Sequence, residues 1–142
     1  MRLVIAFALL PLPALAWEAG YEGSLCTLTH SEETAEVRLT YNPAGPLYSI
    51  ALTSPGPWPQ ADVFGITFNG PAGLTISTNR QTLSNSGRTL TVSDTGFGNV
   101  LSGLELNATA VAFSGDMALP FSLEGAAPEV AKFRTCLTSP TV

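Results

Sequence analysis

In Glu36-Val37-Arg38-Leu39-Thr40-Tyr41, apolar and polar side chains alternate along the chain. Val37, Leu39 and Tyr41 fall on one face of an extended backbone, and the three polar residues fall on the other. This period of two predicts a β-strand with one face against a core and the other toward solvent. We call this segment the reference strand.

Seven further runs have the same character, with β-branched or aromatic residues between turn-forming ones. They cover residues 25–30, 48–52, 63–68, 74–78, 89–93, 104–113 and 117–123. About eight short, mostly antiparallel strands at this spacing predict an all-β domain, either a sandwich or a small closed barrel. Alternation looks the same in both architectures, so the sequence leaves that choice open.

Turn-forming residues indicate where the strands are connected. Three prolines make Ser54–Gln60 a stiff loop, because proline cannot donate to a strand ladder. Gly96-Phe97-Gly98-Asn99 interrupts the strand pattern, and we expect a bulge or a crossing between sheets there. Ser114-Gly115-Asp116 predicts a tight hairpin. Pro120, in the strand that follows, predicts a sheet edge or a bulge.

The end of the chain changes to a helical period. Val130, Phe133 and Leu137 recur at i, i+3 and i+7, which places them on one helix face. Pro128 and Glu129 suit a first helical turn. We expect one short amphipathic helix that packs across the sheet, since so short a helix does not persist alone in water.

The first sixteen residues have the composition of a secretory signal peptide. Met1-Arg2 supplies a positive start, Leu3–Leu10 an apolar run, and Ala14-Leu15-Ala16 a cleavage site with small residues. We therefore expect residues 17–142 to form a single mature domain in the periplasm or outside the cell. The apolar run is far shorter than the roughly 20 residues of a membrane-spanning helix, and no later segment approaches that length.

Cys26 and Cys136 are the two cysteines of the chain. In an oxidising compartment an even number of cysteines favours a disulfide. This bridge would close a loop of roughly a hundred residues, for which chain entropy gives about 4.7 kcal/mol as an upper figure. A reactive thiol beside His30 is the competing interpretation, and it requires the cysteines to be unbonded.

Charge and motif content argue against several classes of partner. The chain has six basic and eleven acidic residues, for a net charge of −5. Its basic residues beyond the leader are scattered, so no cluster is available to neutralise nucleic-acid phosphates. No glycine-rich loop ends in Gly-Lys-Ser/Thr, as an ATP site would require. We predict no nucleic-acid partner and no cofactor, and the pattern does not indicate an oligomeric state.

Catalytic chemistry also lacks a recognisable set of residues. Asp94, Glu105, Asp116 and Glu124 fall on different strands or turns, so their spacing predicts no pair of glycosidase carboxylates. The chain shows no motif for an activated nucleophile. We therefore assign no catalytic residue and expect a protein without catalytic activity.

The segment His30-Ser31-Glu32-Glu33 brings an imidazole close to carboxylates. His30 and Glu32 would point the same way on an extended chain and could bind a divalent metal, although zinc normally needs three or four protein ligands. A metal-dependent enzyme centred on His30 is one hypothesis. A polar, solvated turn between two strands is the other.

Trp58 lies on the proline-rich loop, between Pro57 and Pro59. An exposed indole on so rigid a support is a candidate contact for a ligand or partner. The alternative is that Trp58 folds over an open end of the β-domain and covers the core. The sequence does not distinguish the two.

The closing segment Phe121–Cys136 leads from a strand into a short alanine-rich helix and a cysteine. This ending resembles that of small exported proteins of the invasion-associated locus B type and of related periplasmic proteins of alphaproteobacteria. The resemblance implies an envelope-associated, non-enzymatic β protein, and it assigns no site residues.

Export, a disulfide-closed β scaffold and the lack of a catalytic set together predict a binding or structural protein of the cell envelope. We expect its partner to be an envelope protein or peptide, held by loops or by an exposed strand edge. An inhibitor or accessory factor of an exported enzyme is an alternative.

Overall fold

The fold is that of a computed structural model, which describes residues 16–138. The predicted signal peptide, apart from Ala16, lies outside the described residues. Ten strands and two helices are present in the described part. They are β1 (Glu18–Glu22), β2 (Leu25–Ser31), β3 (Glu36–Asn42), β4 (Leu47–Thr53), β5 (Phe64–Asn69), β6 (Leu74–Thr78), β7 (Thr82–Ser84), β8 (Thr89–Asp94), α1 (Gly98–Leu106), β9 (Thr109–Ser114), β10 (Met117–Ser122) and α2 (Ala126–Thr138).

The strands form two antiparallel sheets. The larger sheet has the order β1-β2-β3-β4-β8-β7, and the smaller has the order β10-β9-β5-β6. Each sheet ends in two edge strands, so neither closes into a barrel. The predicted all-β class is confirmed, and of the two architectures left open the protein adopts the sandwich.

The reference strand, β3, shows the burial that its alternation predicts. Val37 and Leu39 have no exposed surface, whereas Glu36 is exposed. Across the sheet, Leu39 lies opposite Leu28 on β2 and Ile50 on β4. Burying each such side chain contributes about 1.5–3 kcal/mol, so these rows of apolar residues hold the sheet against the core.

The predicted strand over residues 104–113 is wrong in its first part. Residues 98–106 form the helix α1, and the strand β9 begins only at Thr109. Val100, Leu101 and Leu104 are buried, at the i, i+1 and i+4 positions of one helix face. Gly103 lies directly against the ring of Phe68, where a Cβ atom would come within 2.5 Å of a ring carbon. The bulge or crossing expected at residues 96–99 is therefore the entry into a helix that packs closely on β5.

Two strands have no counterpart in the sequence prediction. β1 has five residues with a glycine at its centre, and β7 has three. Both are edge strands of the larger sheet. Short edge strands carry few core-facing side chains, so their alternation is weak.

The connections after α1 follow the prediction. Ser114 pairs with Met117 across a two-residue hairpin in which Gly115 has a φ of +56°. Glycine adopts this left-handed conformation without steric cost, as tight hairpins require. Pro120 lies on β10, which is an edge strand of the smaller sheet. Both expectations are confirmed.

The C-terminal helix is also confirmed, as α2. Val130 and Phe133 are fully buried on its inner face. Cys136 forms the predicted disulfide with Cys26 of β2, with the two Cα atoms 6.1 Å apart. The helix is therefore attached to the larger sheet both by packing and by a covalent bond.

Glu129 gives α2 a further contact with β1. Its Oε1 atom accepts a hydrogen bond from the Ala19 backbone N–H at 3.1 Å, and its Oε2 atom lies 2.9 Å from the Lys132 Nζ atom. The hydrogen bonds from Lys132 and Ala19 favour the charged carboxylate and lower the pKa of Glu129 below its ordinary 4.5.

We expect Glu129→Gln to lower the melting temperature at neutral pH and to have little effect in acid. Because the folded-state pKa of Glu129 is depressed, its stabilising charge is present above the ordinary pKa and is lost as the pH falls through the folded value. Melting curves of both proteins from neutral pH to about pH 3 test this. Glu33→Gln, at an exposed position, is the control. A difference that persists in acid would contradict the role of the charge.

Candidate functional site

A cleft opens between the two sheets beside the start of α1, with a volume of 440 Å³. The larger sheet contributes side chains from β4 and β8, and the smaller sheet contributes them from β5 and β6. The apolar part of its lining includes Ile50, Phe64, Ile66, Ile76, Val92 and Phe97. A cleft of this size and lining matches the usual properties of small-ligand sites.

Polar residues also line the cleft, and we call them its rim. They include Asp94, Asn99 and Thr78. The Asp94 Oδ1 atom accepts a hydrogen bond from the Thr95 backbone N–H at 2.6 Å, and the Thr78 hydroxyl accepts one from the Arg80 backbone N–H at 3.1 Å. These contacts order the rim, and the single carboxylate at Asp94 favours a neutral or cationic group there over an anion.

An aromatic row supports the α1 side of the cleft. The ring of Phe97 stacks on Tyr48 with centroids 5.2 Å apart, and Tyr48 in turn lies 4.6 Å from Tyr41. Burial and the neighbouring Tyr41 raise the pKa of Tyr48, so its hydroxyl stays protonated over a wide pH range. Phe97 is therefore held in place at the point where the chain enters α1.

His30 and Glu32 do come together, as the sequence predicts, with 2.7 Å between Nε2 and Oε2. The same Oε2 atom accepts the backbone N–H of Ser122 at 2.6 Å. Residues 16–138 bring no group of three or more histidine, cysteine, aspartate or glutamate residues together for a metal ion. The pair thus connects β2 to β10, and residues 16–138 add no third ligand for the metal that one of the two hypotheses places here.

The interpretation of this segment as a solvated turn is wrong for His30. Only 2% of His30 is exposed, and its ring stacks in parallel on Trp17 with centroids 4.6 Å apart. The Trp17 Nε1–H group donates to the Ser122 carbonyl at 3.0 Å. Glu33 is exposed as expected. The strand pattern gives no sign of this stacking, because the two residues are thirteen positions apart.

Trp58 occupies the covering position rather than an exposed one. It is 3% exposed, and its Nε1–H group donates to the Leu52 carbonyl at 3.1 Å. Its ring meets Phe64 edge to face, with centroids 6.1 Å apart. A partner could contact the indole of Trp58 only after the side chain had left the core.

The sequence analysis placed Ile50, Ile66 and Ile76 on three predicted strands, but it did not predict the cleft that they line. Alternation predicts which face of a strand is turned inward, but it does not predict where a gap remains between the two sheets. The available signal was Gly96-Phe97-Gly98, where an isolated aromatic residue lies between two flexible ones.

Comparison with protein-family models, curated proteins and solved structures found no significant match for this chain. The resemblance of residues 121–136 to invasion-associated locus B type proteins therefore stays an expectation. Among residues 16–138, no helix has the length and apolar character needed to cross a membrane.

Proposed function

We propose that this protein is an exported, non-catalytic binding protein that holds an apolar group of its ligand in the cleft between the two sheets. The observation that carries the proposal is the 440 Å³ cleft with isoleucine, phenylalanine and valine side chains along its walls. Concave sites of this size, with mostly apolar walls and a few polar residues, are the usual places where proteins bind small apolar ligands.

Several features support export and a binding role. The disulfide between Cys26 and Cys136 suits an oxidising compartment, and it attaches α2 to the larger sheet that forms one wall of the cleft. The predicted leader at residues 1–16 agrees with this location. We therefore place both the protein and its ligand in the cell envelope.

The ligand chemistry follows from the walls and the rim. The apolar walls favour an aliphatic or aromatic group, and Asp94 at the rim disfavours an anionic head beside that group. Such a group could belong to a small lipophilic molecule or to an apolar side chain of a peptide partner. The two share the same contacts in the cleft, so the experiment has one arm for each.

We expect the uncharged dye Nile red to bind saturably, with a rise in fluorescence. In one arm a series of straight-chain alcohols displaces the dye, and each added methylene tightens binding about fourfold until the cleft is full, since each buried methylene contributes about 0.8 kcal/mol. In the other arm, blocked peptides with a central leucine or phenylalanine displace it. Stronger displacement in one arm identifies the source of the apolar group.

Val92→Phe tests where the dye binds. The larger ring should fill the cleft from β8 and weaken dye binding about tenfold or more, because the dye loses its apolar contacts. Val111→Phe is the matched control, since Val111 is half-buried on β9 and is not a lining residue. Equal dye binding by the two variants, or no saturable binding by the wild-type protein, would contradict the proposal.

A further inference from the structure

Asp94 is an acidic residue on the inward face of a strand. Leu90 and Val92 of β8 are buried, and residues two apart on a strand point to the same face, so Asp94 shares their side of the sheet. Its side chain is half-buried and lines the cleft between the sheets. A carboxylate therefore occupies a position at which the strand pattern otherwise places an apolar side chain.

An aromatic ring lines the same part of the cleft as this carboxylate. Asp94 lies directly opposite Tyr48 of β4 in the larger sheet. Phe97, which also lines the cleft, stacks on Tyr48 with ring centroids 5.2 Å apart. Carboxylates attract positive charge, and so do the faces of aromatic rings. The apolar cleft thus has two groups near one another that favour a cation.

The protein supplies no cation of its own to Asp94. None of the ion pairs formed within residues 16–138 includes this carboxylate. Arg134 interacts electrostatically with the neighbouring Tyr48, but its Nε atom is paired with the Glu105 Oε2 atom at 3.1 Å. The Asp94 Oδ1 atom accepts the Thr95 backbone N–H at 2.6 Å, whereas Oδ2 accepts no hydrogen bond from the described part of the chain. Asp94 can therefore accept a charged donor from a ligand.

From this we infer that the ligand is a small lipophilic amine, whose ammonium group binds Asp94 while its apolar group lies against Ile50 and Val92. The inference rests on the proposed binding in the cleft and names the chemistry of the ligand. An ammonium has further N–H donors, for which Thr78 and Asn99 supply acceptors in the same lining. A single small molecule can meet all these groups in a cleft of 440 Å³. The net charge of −5 also attracts a cation to the protein.

Displacement of Nile red by heptylamine, heptanol and heptanoate tests the charge preference. The three probes share one alkyl chain and differ in the head group. Heptylamine should displace the dye at about tenfold lower concentration than heptanol, because only the ammonium forms a charge-assisted hydrogen bond with Asp94, and heptanoate should be the weakest. Heptylamine that binds no better than heptanol would overturn this inference and leave binding in the cleft intact. A lack of saturable dye binding would instead contradict the proposed function.

Asp94→Asn tests whether this residue causes the preference. The amide keeps an acceptor for the Thr95 N–H and removes the charge, so heptylamine and heptanol should displace the dye at the same concentration once each value is corrected for the dye Kd of the variant. Glu33→Gln removes the same charge at an exposed position beyond the opposite end of the larger sheet, and it should keep the preference. A preference that survives in Asp94→Asn would overturn the inference. Tighter binding of leucyl-glycinamide than of heptylamine would overturn the assignment to a small molecule and favour a peptide amino terminus.

Discussion

Replacing both cysteines by alanine is expected to lower the free energy of unfolding by about 2–5 kcal/mol. Cys26 and Cys136 are 110 positions apart, so the disulfide removes much of the conformational freedom of the unfolded chain. It also attaches α2 to β2. Guanidinium unfolding followed by circular dichroism, on the wild-type protein and on Cys26→Ala/Cys136→Ala, measures the difference.

Hydrogen exchange should show that the loss is greatest in α2. This helix has thirteen residues, close to the lower limit for a helix that persists alone, and it is held by Val130, Phe133 and the disulfide. Its amides should gain more exchange in the double variant than those of β4, which lies inside the larger sheet. Dithiothreitol should destabilise the wild-type protein and leave the double variant unchanged. Free, alkylatable thiols in natively purified protein would contradict the bond itself.

The faces of the long strands could be predicted because alternation and burial have the same cause. Residues on both faces of β3 have cross-strand neighbours on β2 and β4, but the inward side chains of Val37 and Leu39 are buried, whereas the outward side chain of Glu36 is exposed. A period of two in the sequence therefore corresponds directly to the buried and exposed faces of a strand. The same holds for α2, where Val130 and Phe133 follow the helical period.

α1 could not be predicted because two patterns overlap in its sequence. Leu104-Glu105-Leu106 reads as a strand, yet Leu104 is buried and Leu106 is exposed. What favours the helix is tertiary contact. Gly103 has no side chain, so the helix can approach the ring of Phe68, and no local rule reports that approach. The cleft lies beside the start of α1, so its position could not be predicted without that helix.

The buried cluster at the start of the domain shows the same limit. The sequence brought His30 and Glu32 together because they are two positions apart on a strand. It did not predict that the Ser122 N–H also donates to Glu32 or that Trp17 covers the imidazole, since Ser122 lies on β10 and Trp17 precedes β1. Contacts within one element can be read from spacing. Contacts between elements require the fold.

Trp58→Ala is expected to lower the free energy of unfolding by about 3–5 kcal/mol, the usual cost of truncating a large buried aromatic side chain. The indole of Trp58 is 3% exposed, packs on Phe64 and donates to the Leu52 carbonyl, so its loss leaves a cavity and removes a buried hydrogen bond. Trp58→Phe keeps most of the packing. It should cost about 1–3 kcal/mol, mainly for the lost hydrogen bond.

Dye binding separates this structural role from a contact with ligand. Trp58 is not among the cleft-lining residues, so Trp58→Phe, kept well below its melting temperature, should bind Nile red as the wild-type protein does. If Trp58 served instead as an exposed anchor, both substitutions would weaken binding and leave the unfolding curve nearly unchanged. A substitution at an exposed anchor lowers affinity and leaves stability unchanged, because an anchor contributes to the complex. A substitution at a covering residue lowers stability and leaves affinity unchanged, because that residue contributes to the core.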